Sequence, residues 1–170
     1  MKYRFVLTLF CIAHFCNDVC SQADSVITAL NQIYLELAGT GGYGSVNYER
    51  VILKRNNFGL TGRLGLSTYH FKDFEDKVNP DLIIPFSIHG YYGRKSKIEI
   101  GFGQTIANIV HAEFPEFSIK RKTDFHTHFC IGYRYQRING GFTFRCVYTP
   151  IIEFNRYFRH WAGCSVGYSF

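Results

Sequence analysis

The chain has 170 residues, a length that suits one domain, with 46% hydrophobic and 18% aromatic residues and a formal net charge of +6. After the N-terminal stretch no run approaches the roughly 18 consecutive apolar residues of a membrane-spanning helix, so that class is excluded, while spanning strands, whose residues alternate, remain open. The mild basicity suits anionic lipid or lipopolysaccharide, and also nucleic acid, which an exported chain rarely meets.

Residues 1–23 read as a secretory signal. Lys2 and Arg4 form the positive start, Phe5 to Cys16 the apolar run, and Ser21-Gln22-Ala23 the small-residue cleavage site. The expected domain is therefore 24–170. Cys20 offers a lipid-modified alternative, but Asn17, Asp18 and Val19 precede it where such signals want a small residue, so plain cleavage is expected. Of six cysteines, Cys11, Cys16 and Cys20 fall in the signal. Cys130, Cys146 and Cys164 remain, an odd number that argues against a closed disulfide framework and reads as small apolar strand residues.

Segments of about ten residues with alternating hydrophobicity follow, each near the length a tilted strand needs to cross a bilayer. The expected strands are Asn31–Gly39, Gly44–Leu53, Phe58–Tyr69, Leu82–Tyr92, Lys97–Ile109, Asp124–Gln136, Gly141–Thr149 and His160–Phe170. Three breaks are short (Lys54–Asn57, Gly93–Ser96, Arg137–Gly140) and three long (His70–Asp81, Val110–Thr123, Pro150–Arg159). Thr40–Tyr43 is short where the alternation calls for a long one. The fold class expected is all-β: a single antiparallel up-and-down transmembrane β-barrel of about eight strands, with short turns at one end and longer loops at the other.

Successive strand residues point to opposite faces. One parity collects Ile33, Leu35 and Leu37, then Leu64 and Leu66, Ile84, Phe86 and Ile88, Ile98, Ile100 and Phe102, Phe129, Ile131 and Tyr133, and Phe142 and Phe144. The other collects Glu36, Glu49, Arg63, Glu99, Arg134 and Arg145 among glycines and serines. Small residues and charges of both signs suit a narrow lumen filled by ion pairs. The broad apolar parity suits lipid. A soluble barrel would turn these faces the other way, so a secreted lipocalin-like ligand-binding barrel stays as an alternative.

The stretch Asn47-Tyr48-Glu49-Arg50, the Ile84-Pro85-Phe86 that opens the fourth strand, and the closing Gly167-Tyr168-Ser169-Phe170 resemble the small outer-membrane β-barrel proteins of Gram-negative bacteria. The resemblance covers the whole mature chain. It implies residence in the cell outer membrane, contact with its lipid and lipopolysaccharide, and insertion by the outer-membrane assembly machinery, which reads a last strand ending on Phe. Tyr168 and Phe170 would carry that signal. One departure is Ser165, where the pattern prefers Gly. Some barrels of this kind modify lipid A, so a lipid A-modifying enzyme is a second alternative. The His-x-Ser-Asn arrangement of the deacylases is absent, although Ser87 and His89 share a strand face. An eight-stranded barrel is too narrow for a general porin.

His126 and His128, two apart on one face, are the weak metal candidates, with no third ligand nearby in sequence. Lys120-Arg121-Lys122, in the longest break, is the basic cluster that could meet lipopolysaccharide phosphates. No cofactor motif is present. The expectation is a non-enzymatic barrel with a structural or surface-interaction role.

Overall fold

The period-two alternation is realised as strand along most of the chain. The structure, a computed structural model, describes residues 29–72, 77–113, 118–153 and 158–170. The expected signal, with Cys20, lies outside them. Eight strands form the wall: β1 Asn31–Ala38, β2 Gly44–Arg55, β3 Phe58–Ser67, β4 Leu82–Gly93, β5 Ser96–Glu113, β6 Ser118–Gln136, β7 Gly141–Tyr148 and, last in the chain, β10 Ala162–Ser169. Between the last two lie the short strands β8 Ile151–Glu153 and β9 Phe158–Arg159. Neighbours pair antiparallel, and β10 returns to β1 in the register Gln32↔Ser169 to Ala38↔Gly163, so the eight-stranded wall closes on itself.

Turn chemistry fixes the short end. Arg55 faces Phe58 across the two-residue turn Asn56-Asn57, and Asn56 takes the left-handed φ of 51° that such a hairpin requires and that Asn tolerates. The turns after β4 and β6 lie at this same end: Gly93 N–H donates to Asn57 O at 2.8 Å and Gln136 N–H to Lys95 O at 2.9 Å.

The opposite end departs from the expected loops. β5 and β6 do not stop at Ile109 and Asp124. They pair on from Ile109↔Lys122 to Glu113↔Ser118, so the expected loop is the outer part of a long hairpin. The break after β7 is not structureless either, because β8 pairs with β6 at His126↔Glu153 to His128↔Ile151 and β9 pairs with β8. Between β3 and β4, His70 Nδ1 lies 3.0 Å from Asp81 Oδ2, and Asp81 Oδ1 accepts from the Val110 N–H at 2.9 Å. This ties the loop to β5.

Burial is inverted relative to a soluble protein. Leu37 is 71% exposed, Ile98 67% and Ile100 61%, whereas Glu99 is 0%, Arg134 1% and Glu49 2% exposed. Apolar side chains in water cost free energy in proportion to their area, and buried charges cost several kcal/mol each unless paired. Only surroundings of hydrocarbon reconcile the two. The chain is a transmembrane β-barrel, not a soluble lipocalin-like one.

Candidate functional site

The lumen is where the polar parity converges. β2, β5, β6 and β7 bring Glu49, Glu99, Arg134 and Arg145 into one cyclic arrangement nearer the turn end. Arg134 donates from Nη1 to Glu49 Oε1 at 2.5 Å and from Nε to Glu99 Oε2 at 2.6 Å. Arg145 donates from Nη1 to Glu49 Oε2 at 2.8 Å and from Nη2 to Glu99 Oε1 at 2.6 Å. Each carboxylate therefore bridges both guanidiniums, and each guanidinium both carboxylates. These charge-assisted bonds are the geometry in which buried ions offset their own desolvation.

A second group sits nearer the loop end. Arg63 Nη2 meets Glu36 Oε2 at 2.5 Å, and its Nε donates to Asn47 Oδ1 at 3.0 Å. Asn47 in turn donates to Ser45 Oγ at 2.9 Å. All six charged residues expected to share a face point into the lumen. They fall into two groups, with three charges of each sign.

Several contributors are not evident from charge patterning. Tyr34, 1% exposed, places its ring between the groups, with Arg145 4.9 Å and Arg63 5.5 Å from its centroid. Tyr91 does the same at the turn end, where Lys97 lies 4.2 Å and Arg134 5.2 Å from its centroid. Lys97 also donates to Gln136 at 2.7 Å. The polar parity was the available signal for Tyr34, and its aromatic character hid the role.

Glycine makes room for this filling. A Cβ on Gly103 would stand 2.3 Å from Phe86 O and 2.4 Å from the Ser87 Cβ. A side chain there has no space, so glycine at this position lets β5 lie close against β4.

Ser87 Oγ and His89 Nε2 are 2.7 Å apart. This resembles a nucleophile and its base, but the orienting group is wrong. His89 Nδ1 faces Arg145 Nη2 at 3.4 Å and Cys130 Sγ at 3.6 Å, where a carboxylate would be needed. Ser87 is 5% and His89 1% exposed, deep in the lumen wall.

His126 and His128 both turn inward and line a pocket of about 120 Å³ at the loop end, with Thr40, Thr105, Arg159 and Trp161 among its other walls. His128 Nδ1 is 3.4 Å from Thr105 Oγ1. His126 Nδ1, His128 Nε2, Thr40 Oγ1 and Trp161 Nε1 have no hydrogen-bond partner among the described residues. No cluster of three or more His, Cys, Asp or Glu able to hold a metal occurs among the described residues.

Lys120, Arg121 and Lys122 lie on β6, where alternation sets Arg121 on the opposite face from Lys120 and Lys122. Arg121 turns to the neighbouring loop and donates to Asn108 Oδ1 at 2.6 Å, to Pro80 O at 2.9 Å, and to Asn79 Oδ1. Lys122 lies 3.2 Å from Asp124. The triplet is therefore not one basic patch. Tyr168 and Phe170 point outward, 61% and 54% exposed, at the turn end of the seam.

The class defined by this fold and filling is the small, closed, eight-stranded transmembrane barrel. Among solved structures the chain is similar to the N-terminal β-barrel domain of OprF from Pseudomonas aeruginosa, with a TM-score of 0.56 and 13% identity over 82% of this chain and 95% of that one. It is also similar to the attachment invasion locus protein Ail of Yersinia pestis, with a TM-score of 0.53 and 10% identity over 84% of this chain and 95% of that one. Ail bound to the heparin analogue sucrose octasulfate matches with a TM-score of 0.51 and 9% identity, covering 84% of this chain and 96% of that one. No protein-family model and no curated protein sequence matches the chain.

Proposed function

We propose that the chain is a non-enzymatic barrel of the bacterial outer membrane whose lumen is a structural plug and whose contacts with partners lie at the loop end. The carrying observation is the cyclic Glu49–Arg134–Glu99–Arg145 arrangement, with exposures of 3% or less, inside a wall of exposed apolar side chains. Four ionised groups fixed to one another fill this part of the lumen and leave none of the four free to react. Their work is to hold the wall strands at one spacing.

The loop end carries the surface role. β5 and β6 raise a hairpin there, and Lys120 and Lys122 are exposed on it. Lipopolysaccharide phosphates are the anions such side chains meet at an outer surface. Ail, of similar fold, has been crystallised with the heparin analogue sucrose octasulfate, and that precedent supports an anionic partner.

The test is the protein in native envelopes and in planar bilayers. The expected result is recovery with the outer membrane, slower gel migration after boiling than before, no stepwise conductance, and an unchanged lipid A profile when the protein is lost. Recovery in a soluble fraction, steady ion conductance or altered lipid A acylation would each overturn the proposal.

A further inference from the structure

Cys130, Cys146 and Cys164 are odd in number, but an odd set still allows one bridge with one thiol left over. The register of β7 against β10 puts Cys146 directly opposite Cys164. Their parity is the outward one, shared with Phe144 and Val166, and the two sulfurs are 2.8 Å apart. Residues directly opposed on antiparallel strands have Cα atoms about 4.5 or about 5.5 Å apart. Both values fall within the window of about 4.4–6.8 Å that a disulfide accepts. Cys130 cannot compete. It is buried on the lumen side of β6, with its sulfur 3.6 Å from His89 Nδ1.

We infer that Cys146 and Cys164 are a disulfide-forming pair that staples β10 to β7 on the outer wall of the barrel. The inference rests on the export reading above, because disulfides persist in oxidising compartments and not in the cytosol. The oxidant is by class a disulfide, either of a thiol-oxidising protein or of a small molecule such as oxidised glutathione. One cysteine thiolate attacks a sulfur of that disulfide, forms a mixed disulfide and releases the donor's first thiolate. The second cysteine thiolate then attacks the mixed disulfide at the barrel's own sulfur, which forms the Sγ–Sγ bond and expels the donor's second thiolate. The barrel's two thiols lose two protons and two electrons, and the donor disulfide becomes a dithiol.

The timing follows from the surroundings. Once the wall faces lipid, a thiolate there would stand in hydrocarbon and a donor protein could not approach. The bond therefore forms before insertion, when β7 and β10 have paired as a hairpin. It fixes the register of β10 on one side before its other side meets β1.

Two preparations of the full chain separate this inference from the export reading. In the first, protein from cell envelopes is blocked with N-ethylmaleimide at lysis. In the second, purified protein is refolded from urea into detergent in a glutathione redox buffer. Both are digested without reductant and mapped by mass. The expected product in both is a Cys146–Cys164 peptide pair two hydrogens lighter than its free parts, with Cys130 alkylated. Cys130→Ser should keep the pair. Cys146→Ser should free Cys164 for alkylation. Free, glutathione-capped or otherwise joined Cys146 and Cys164 in the refolded protein would overturn the inference. A bond in the refolded protein but not in the cellular protein would uphold the pairing and count against export.

Discussion

At the scale of single residues, the lumen is decided by whether each buried charge has its partners. Replacing Arg145 by Met leaves Glu49 and Glu99 with Arg134 alone. The expected loss is ~3–5 kcal/mol in urea unfolding of protein folded into vesicles. Replacing all four members by apolar residues of similar volume should cost less than that single change, since no ion is then left unpaired. Gly103→Ala tests packing in the same lumen. Its Cβ would meet the Phe86 carbonyl oxygen at 2.3 Å, and backbone cannot swing aside as a side chain can, so ~1–3 kcal/mol of destabilisation is expected by the same assay. Parity made the polar face legible, because alternation is a local property and a strand preserves it. The pairing of Arg63 with Glu36 and of Arg134 with both Glu49 and Glu99 was not legible. It depends on how far neighbouring strands are staggered, which no single segment records. Parity also puts Tyr34 on the polar face with Glu36, but not its place between two guanidiniums, which again depends on stagger.

At the scale of elements, the wall strands were legible to within two residues at each end, apart from the loop-end extensions of β5 and β6. The signal failed where the bilayer stops selecting for alternation. Beyond Ile109 the break carries Glu113, Lys120, Arg121 and Lys122, and such charge reads as loop, yet β5 and β6 continue because the ladder from Ile109↔Lys122 to Glu113↔Ser118 satisfies the backbone. Arg121 uses this extension as a post. Its guanidinium holds Asn108 on β5 together with Asn79 and Pro80 of the β3–β4 loop. Arg121→Ala should loosen that loop and leave the wall intact. The expected outcome is faster protease cleavage around residues 77–81 in membrane-embedded protein, with an unchanged urea midpoint for the barrel. The cysteines teach the same lesson. Their odd count is visible in sequence, but the apposition of Cys146 and Cys164 exists only once β7 and β10 have a register.

At the scale of the whole molecule, closure is the property on which the others depend. An open sheet in hydrocarbon would leave N–H and C=O groups unsatisfied along two edges, each costing several kcal/mol, and its charged lumen would face lipid. The seam between β1 and β10 removes both costs, and it is fastened at its turn end by the last residue. Phe170 N–H donates to Asn31 O at 2.8 Å, and Asn31 N–H donates back to Phe170 O at 2.9 Å. Its ring, with that of Tyr168, stands outward at this rim, where aromatic side chains favour the membrane interface. Deleting Phe170 therefore removes a reciprocal backbone pair and an interfacial anchor together. Replacing Tyr168 and Phe170 by Ser keeps the backbone pair and removes only the rings. If closure is limited by the ladder, the deletion should lower the heat-modifiable protein recovered in the outer membrane well below the level of the double substitution. If the rings carry an assembly signal, the two variants should fall together, with the missing protein lost to degradation before insertion. Wild-type recovery of both would show that neither the terminal pair nor the aromatic rim is needed to close the barrel.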